Sequence, residues 1–407
     1  MVKGLEFIIY WCIILIPFFV GIAPAPANIF MGLMIAAFLA KKIIKKEPLI
    51  PATAINLPLL ILFIITCVSL IHSINLKDSF RGGIGRLAYD IFVVLIMAAE
   101  IKDRKHLFKI VAALFAGVTL VSIDALWQVF SGRDFIRGYE TIVNIGLVRA
   151  TASFKDANTF GVYLSAIAPL IFGLTLFYFK MPKKIFYFLL SALALSGIAL
   201  TYSRPTLLAV YLIFIFFALV KKNKIMLSVL LVLAVLAPFF LPNSVKQWAK
   251  EVDYNPVRFM CNDDRIAIFR NSVNMIKAHP IIGVGANTFM KNYKQYKENP
   301  EYRGIVTSDY IYAHNNFLHM AAEIGFLGLF IFLWLLFNLF KEAAKIYRCL
   351  QEPFLKELSL ALIACLIAFL INGLTESSLY YSRVAIIFWY LIGLLLSLKK
   401  FTLSHTK

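Results

Sequence analysis

His314 lies in Tyr312-Ala-His-Asn-Asn-Phe-Leu-His-Met-Ala-Ala-Glu-Ile-Gly-Phe-Leu-Gly328, where the one long polar segment of the chain meets a long apolar run. The run over 316–340 predicts a helix, and Asn315 or Asn316 can cap it. The imidazole then stands at a helix N-terminus, whose dipole disfavours the imidazolium. An uncharged imidazole can take the proton of an attacking hydroxyl. A lone histidine more often packs or caps than reacts, and the flanking residues are what weigh toward chemistry here. His319, five residues on, points to another helix face and reads as structural.

The other residues that could do chemistry are mostly arginines. Arg204 interrupts two apolar runs in Thr201-Tyr-Ser-Arg-Pro-Thr-Leu-Leu208. Arg265 falls in the first turn of a helix expected over 263–278, capped from Asn262-Asp-Asp264 and ending before Pro280. Arg81 and Arg86 open another apolar run among Gly82, Gly83 and Gly85. A guanidinium fork grips phosphate in a way that a lysine point charge does not. These four are therefore the candidate pyrophosphate ligands. Their bland alternatives are a snorkelling Arg204, a local pair of Arg265 with Asp263 or Asp264 and an Arg86–Asp90 pair four residues apart. Glu323, inside an apolar run, and Glu376, near the end of one, are candidates to support His314 or pair with an arginine. Asn315 joins them as the expected cap.

Neither the five cysteines nor the six histidines have metal-ligand spacing. No loop gathers carboxylates for a divalent ion. The expectation is a transfer without metal or cofactor, in which arginines neutralise a leaving pyrophosphate.

The elements that must hold these residues are membrane helices. The 407 residues are 61 % hydrophobic, and the mean hydropathy is +0.80. A span needs roughly 20 apolar residues. Candidates run 5–22, 27–40, 55–72, 84–100, 107–130, 158–179, 185–202, 206–220, 225–241, 316–340, 358–375 and 383–398. The fold class is thus all-α, a polytopic integral membrane protein of about 12 transmembrane helices. Residues 1–241 hold helices 1–9, and 316–407 hold helices 10–12 with a cytoplasmic tail. Between helices 9 and 10, residues 242–315 are too long for a bare connection and read as a helical cap, with further helix over 287–298 after a tight turn at 281–285.

The net charge of +19 does not point to nucleic acid, because it falls in short clusters between apolar runs, as topology signals do. The short connections rich in lysine belong inside, with both termini. Eleven of the thirteen arginines, Arg303 among them, then fall on the opposite side. Positive charge there runs against the inside rule and suits a phosphate-binding face.

At this point the sequence resembles the O-antigen ligase and polymerase family of integral membrane glycosyltransferases, most closely the ligases. The likeness rests on Ala152-Ser-Phe-Lys-Asp-Ala-Asn158, on Ser203-Arg204 with Leu208, on Asp264-Arg265 through His279-Pro-Ile-Ile-Gly-Val-Gly285 and Phe289, and on His314-Asn315 with Leu318, Gly325 and Gly328. It spans about 150–330, and its last two stretches are the specific ones. The resemblance implies a bacterial inner-membrane enzyme with a periplasmic site. Its donor would be a glycan on undecaprenyl pyrophosphate, and its acceptor a sugar hydroxyl of the lipid A core. Arg204, Arg265 and His314 match positions regarded as essential in the family, and Arg81 or Arg86 matches a further arginine. Asn158 is a supporting residue on the same ground.

Two other readings compete. A polymerase, or a transferase to protein hydroxyls, would share the donor and differ in the acceptor. A transporter of lipid-linked glycan would also have intramembrane acids and many spans. However, the spans show no pair of Gly/Pro-broken helices in two halves, and the polar residues gather at one face instead of the midplane.

Overall fold

The computed structural model describes residues 1–144, 146–297 and 312–402. Arg303 lies outside the described residues. The apolar runs are helical, the form in which a segment surrounded by lipid satisfies its own backbone N–H and C=O groups. In chain order they are α1 (Val2–Ile22), α2 (Pro24–Lys45), α3 (Asn56–Val68), the single turn α4 (Leu76–Asp78), α5 (Arg86–Glu100), α6 (Arg104–Ser131), α7 (Ala157–Phe177), α8 (Lys183–Leu200), α9 (Arg204–Val220) and α10 (Lys224–Phe240). Four shorter helices follow: α11 (Asn243–Glu251), α12 (Pro256–Met260), α13 (Asp263–Ala278) and α14 (Phe289–Asn292). The chain then returns through α15 (Asn316–Cys349), α16 (Pro353–Asn372) and α17 (Ser382–Ser397). Between α6 and α7, β1 (Ile142–Asn144) and β2 (Leu147–Arg149) form an antiparallel hairpin with Ile142 opposite Arg149.

Each of the twelve apolar runs is helical, but not all are full-length spans. Among the described residues nine helices are long and apolar enough to cross a membrane, or ten if α10 and α11, bent by 89°, count as one. The helices at Asn56–His72 and Arg204–Val220 are shorter. Seventeen residues of α9 reach only about 26 Å, less than the ~30 Å hydrocarbon core. Nine or ten full-length spans thus stand where the sequence suggested about twelve.

The helix expected over 263–278 forms with those bounds. The Asn262 side chain accepts from the Arg265 N–H, satisfying one of the orphan donors of its first turn. Asp156 caps α7 and Asn315 caps α15 in the same way. Helix over 287–298 is shorter than expected, being α14 followed by a 3₁₀ turn at Tyr293–Tyr296.

The turn at 281–285 is wedged into α15. Val284 and Gly285 donate to the carbonyls of Ala322 and Glu323 at 2.9 and 3.0 Å, while Phe326 donates to the Pro280 carbonyl at 2.8 Å. The helix breaks at Gly325, with φ 71° and ψ 179°. A Cβ on Gly325 would lie 2.0 Å from the Ile281 carbonyl oxygen. The glycine is needed both for its backbone angles and for the close passage. This joint locks the turn at 281–285 to the first turns of α15, the helix that begins next to His314.

The two ends of the helix bundle differ in their cations. At one end Lys41 meets Glu100 at 2.6 Å, Lys221 meets Glu357 at 2.6 Å, and Lys399 meets Glu342 at 2.7 Å. At the other, Arg383 donates to the carbonyls of Val20, Gly21 and Ser153, and Arg149 and Arg265 donate to those of Thr201 and Thr375. These lysines thus pair with acids at one end, and these arginines donate to backbone carbonyls at the other.

Candidate active site

His314, Glu376 and Arg265 form one connected unit at the arginine end. The Glu376 carboxylate takes Nη2 of Arg265 at 2.5 Å on one oxygen and Nδ1 of His314 at 3.2 Å on the other. Nη1 of Arg265 donates to the Thr375 carbonyl at 3.0 Å. Three separate elements supply these groups: the first turn of α13, the start of α15 and the loop between α16 and α17. Glu376 is only 2 % exposed and Arg265 15 %, whereas His314 is 28 % exposed. The acid and the arginine are thus enclosed, while the imidazole keeps an open side.

The electrostatics follow from that burial. Burial acts to raise the Glu376 carboxyl, but Arg265 and then His314 more than offset it and hold the group below the usual carboxylate range. Burial likewise acts against the Arg265 charge, and Glu376 again outweighs it and holds the guanidinium above its ordinary value. An ionised Glu376 can only accept, so Nδ1 of His314 is the protonated nitrogen. In the uncharged ring Nε2 is then the basic one.

Arg149 and Arg204 stand beside this unit. Arg265 is within electrostatic reach of both, and Arg149 also feels Glu376. Nη1 of Arg204 donates to the Phe259 carbonyl, and its guanidinium lies over the Trp248 and Phe259 rings at 5.6 and 5.3 Å. Arg149 donates to the Thr201 carbonyl at 2.7 Å and to the Asn158 side-chain oxygen at 2.6 Å. Burial pulls the Arg149 guanidinium below its ordinary value, partly opposed by Asp156. Among the described residues neither Arg149 nor Arg204 has a carboxylate within 4 Å. Both line an open cleft of about 1250 Å³ whose other walls include Leu207, Leu208, Leu241 and Val245. Cations at one side and aliphatic walls at the other suit an amphipathic anion.

Several loop residues here are held with positive φ. His314 has φ 48°, Tyr202 46° and Ala152 44°. Non-glycine residues rarely adopt this region, and they collect where surrounding structure fixes functional groups.

The arrangement brings together part of what the sequence offered. His314, Arg204 and Arg265 share one region, with Glu376 at its hub instead of at its margin. Asn158 enters through Arg149. Asn315 accepts from the Phe317 and Leu318 N–H groups and donates to the Leu374 carbonyl, so it fixes the backbone beside His314. Glu323 does not reach His314. It accepts from the backbone of Asn287 and Phe289 at 2.8 and 3.0 Å and meets His319 at 3.3 Å, and so anchors α14. Arg258, not Arg265, pairs with Asp263. Arg81 and Arg86 line other cavities, which share no residue with the Arg149–Arg204 cleft. Arg149 is the residue that sequence reasoning passed over, although it shares a stretch with Asn158 and counts among the unexpected outer arginines.

A polytopic helical membrane protein with a cluster of arginines beside a carboxylate-held imidazole is the class that fold and site define. Residues 189–333 match the family model for O-antigen ligase, and that match supports the O-antigen ligase family for this stretch of the chain. The match includes Arg204, Arg265 and His314 and ends before Glu376. It supports a ligase or polymerase function of the membrane-glycosyltransferase type. No curated protein matches the chain.

Proposed function

We propose that this chain is an O-antigen ligase, moving a glycan from undecaprenyl pyrophosphate to a sugar hydroxyl of the lipid A core. The lysine end faces the cytoplasm and the arginine end the periplasm of a bacterial inner membrane, following the inside rule for lysine-rich connections. The 242–315 segment is then a periplasmic cap over the site.

The reaction follows from the groups in hand. Arg204 and Arg149 grip the diphosphate, whose aliphatic chain lies along Leu207, Leu208 and Leu241. Arg265 adds positive potential while it holds Glu376. Glu376 fixes His314 with Nε2 toward the acceptor. The acceptor oxygen bonds to the anomeric carbon as its proton passes to Nε2. The bond from that carbon to the phosphate oxygen breaks, and the lipid diphosphate leaves with the electron pair. Attack from the side opposite the leaving group inverts the anomeric configuration. The guanidiniums stabilise the charge that develops on the leaving oxygen.

The observation that carries this reading is the bridge from Arg265 through Glu376 to His314, beside two arginines that have no acid partner among the described residues. Purified protein in detergent, given a lipid-linked glycan and lipid A core, is expected to shift the core by the glycan mass without any ion gradient. His314→Ala should abolish the shift and leave donor binding largely intact. Full transfer by that variant would remove His314 from the reaction, and gradient-dependent movement without a mass shift would make the protein a transporter.

A further inference from the structure

Arg81 and Arg86 stand apart from the Glu376 unit, in a setting of their own. The segment Ser79–Gly85 is a π-helix, a wide turn that recurs at functional sites. Arg81 and Arg86 line a cleft of about 1010 Å³ with Met31 of α2, Phe80, and Ser382 and Ile386 of α17. Arg86 also borders a second cavity of about 680 Å³, shared with Asp90, Asn287 and Tyr380. Among the described residues its Nε and Nη2 atoms are buried with no hydrogen-bond partner, and its ion pair with Asp90 is long, at 3.9 Å. A buried guanidinium N–H without an acceptor is costly unless an anion meets it. On the neighbouring turns of α3 and α5, Leu59, Phe63, Ile91 and Leu95 wall an apolar groove. That groove shares no residue with the two cavities of Arg86. The cleft of Arg81 and Arg86 has apolar walls of its own in Met31, Phe80 and Ile386, and a forked cation in such a cleft fits a lipid with a phosphate head.

The loop after α16 divides the two regions. Its Glu376 faces His314 and Arg265, while Tyr380 and the following Ser382 line the cavities of Arg86. Two sets of guanidiniums therefore flank one loop. Their residue type made Arg81 and Arg86 candidate pyrophosphate ligands, yet they share no cavity with Arg149 and Arg204.

We propose that Arg81 and Arg86 bind a phosphate on the acceptor lipid, so that donor and acceptor are both anionic lipids held by separate arginine sets. The inference rests on the transferase reading above. A reaction between two membrane lipids needs both heads anchored, with the reacting hydroxyl and anomeric carbon between them. A protein acceptor would carry no such phosphate.

The test uses the full-length protein in nanodiscs and native mass spectrometry. The probes are core-bearing lipid A, the same glycolipid after phosphatase treatment, and a polyprenyl-pyrophosphate glycan. Arg81 is exposed, so Arg81→Gln leaves the helix packing in place, and Arg86→Gln is the second variant. Each should weaken binding of the phosphorylated glycolipid by about tenfold, the loss of one charge-assisted hydrogen bond. Binding of the dephosphorylated form should not change. In turnover the acceptor KM should rise while the donor KM stays, and Arg204→Gln should do the reverse. If the polyprenyl-pyrophosphate glycan instead shows the Arg81-dependent binding as acceptor, the phosphate site holds and the acceptor is a second donor-type lipid. A rise confined to the donor KM, or equal loss for both glycolipid forms, overturns the proposal. If the wild type transfers glycan to no lipid while the binding split persists, the transferase reading fails and the phosphate site remains.

Discussion

Replacing Glu376 by glutamine is the most informative single change, because it keeps shape and alters only charge and proton placement. The carboxylate accepts on both oxygens, from Arg265 at 2.5 Å and from His314 at 3.2 Å. A glutamine has one acceptor and one donor end. If its oxygen stays on Arg265, its NH₂ faces Nδ1 of His314. Nδ1 must then accept, which moves the ring proton to Nε2, where the acceptor hydroxyl would need a base. The corresponding carboxylate-to-amide exchange in serine-protease triads costs about 10⁴ in turnover through the wrong tautomer. A loss of about 10³- to 10⁴-fold in kcat is expected here, or about 4–5.5 kcal/mol in the barrier. Arg265 also loses its counter-charge, and removing one member of a buried pair typically costs about 3–5 kcal/mol. The isosteric amide keeps one hydrogen bond, so the stability loss should fall below that range. The assay is steady-state glycan transfer with donor and acceptor varied separately, beside thermal unfolding in detergent. A folded Glu376→Gln enzyme keeping more than about a tenth of wild-type kcat would refute the tautomer argument. So would a loss wholly in donor KM.

Other outcomes follow from the same geometry. Gly325→Ala should destabilise by about 3 kcal/mol or more, since the residue sits in backbone space that is essentially glycine-only and its Cβ would strike the Ile281 carbonyl. Gly32→Ala, where a Cβ meets nothing within 4 Å, is the control, and comparison of the two melting curves checks the joint. Arg149→Lys should raise donor KM by about tenfold by replacing a fork with a point charge, measured at saturating acceptor. For Glu376 the folded carboxyl lies below its ordinary value of 4.5. Its contribution to stability is therefore full above that value and is lost as pH falls through the lower folded one. Acid unfolding of the wild type should show this loss below about pH 4.5, and Glu376→Gln should lack it.

The order of elements was readable from residues close together in the chain. Apolar runs of helical length, Pro205 just inside the start of α9, and Asn262 and Asn315 as caps each act over a few residues, so pattern reveals them. The split between lysine and arginine was equally local to each connection, and so was the choice of His314, Arg204 and Arg265 by type and setting. Span number was less secure, because a short apolar helix such as α9 looks in sequence like a full crossing.

Tertiary structure decided how these residues work together. Glu376 lies 62 residues from His314 and 111 from Arg265, and no spacing rule links groups so distant. Only the packing of α13, α15 and the loop after α16 makes that carboxylate the hub. Arg149 reaches the site because the chain between α6 and α7 folds back on Thr201, 52 residues away. The break of α15 at Gly325 exists because another backbone passes through it, which a helical pattern cannot announce. The same holds for the separation of Arg81 and Arg86 from the other arginines. Charge type is written residue by residue, but which charges share a cavity depends on how the helices pack.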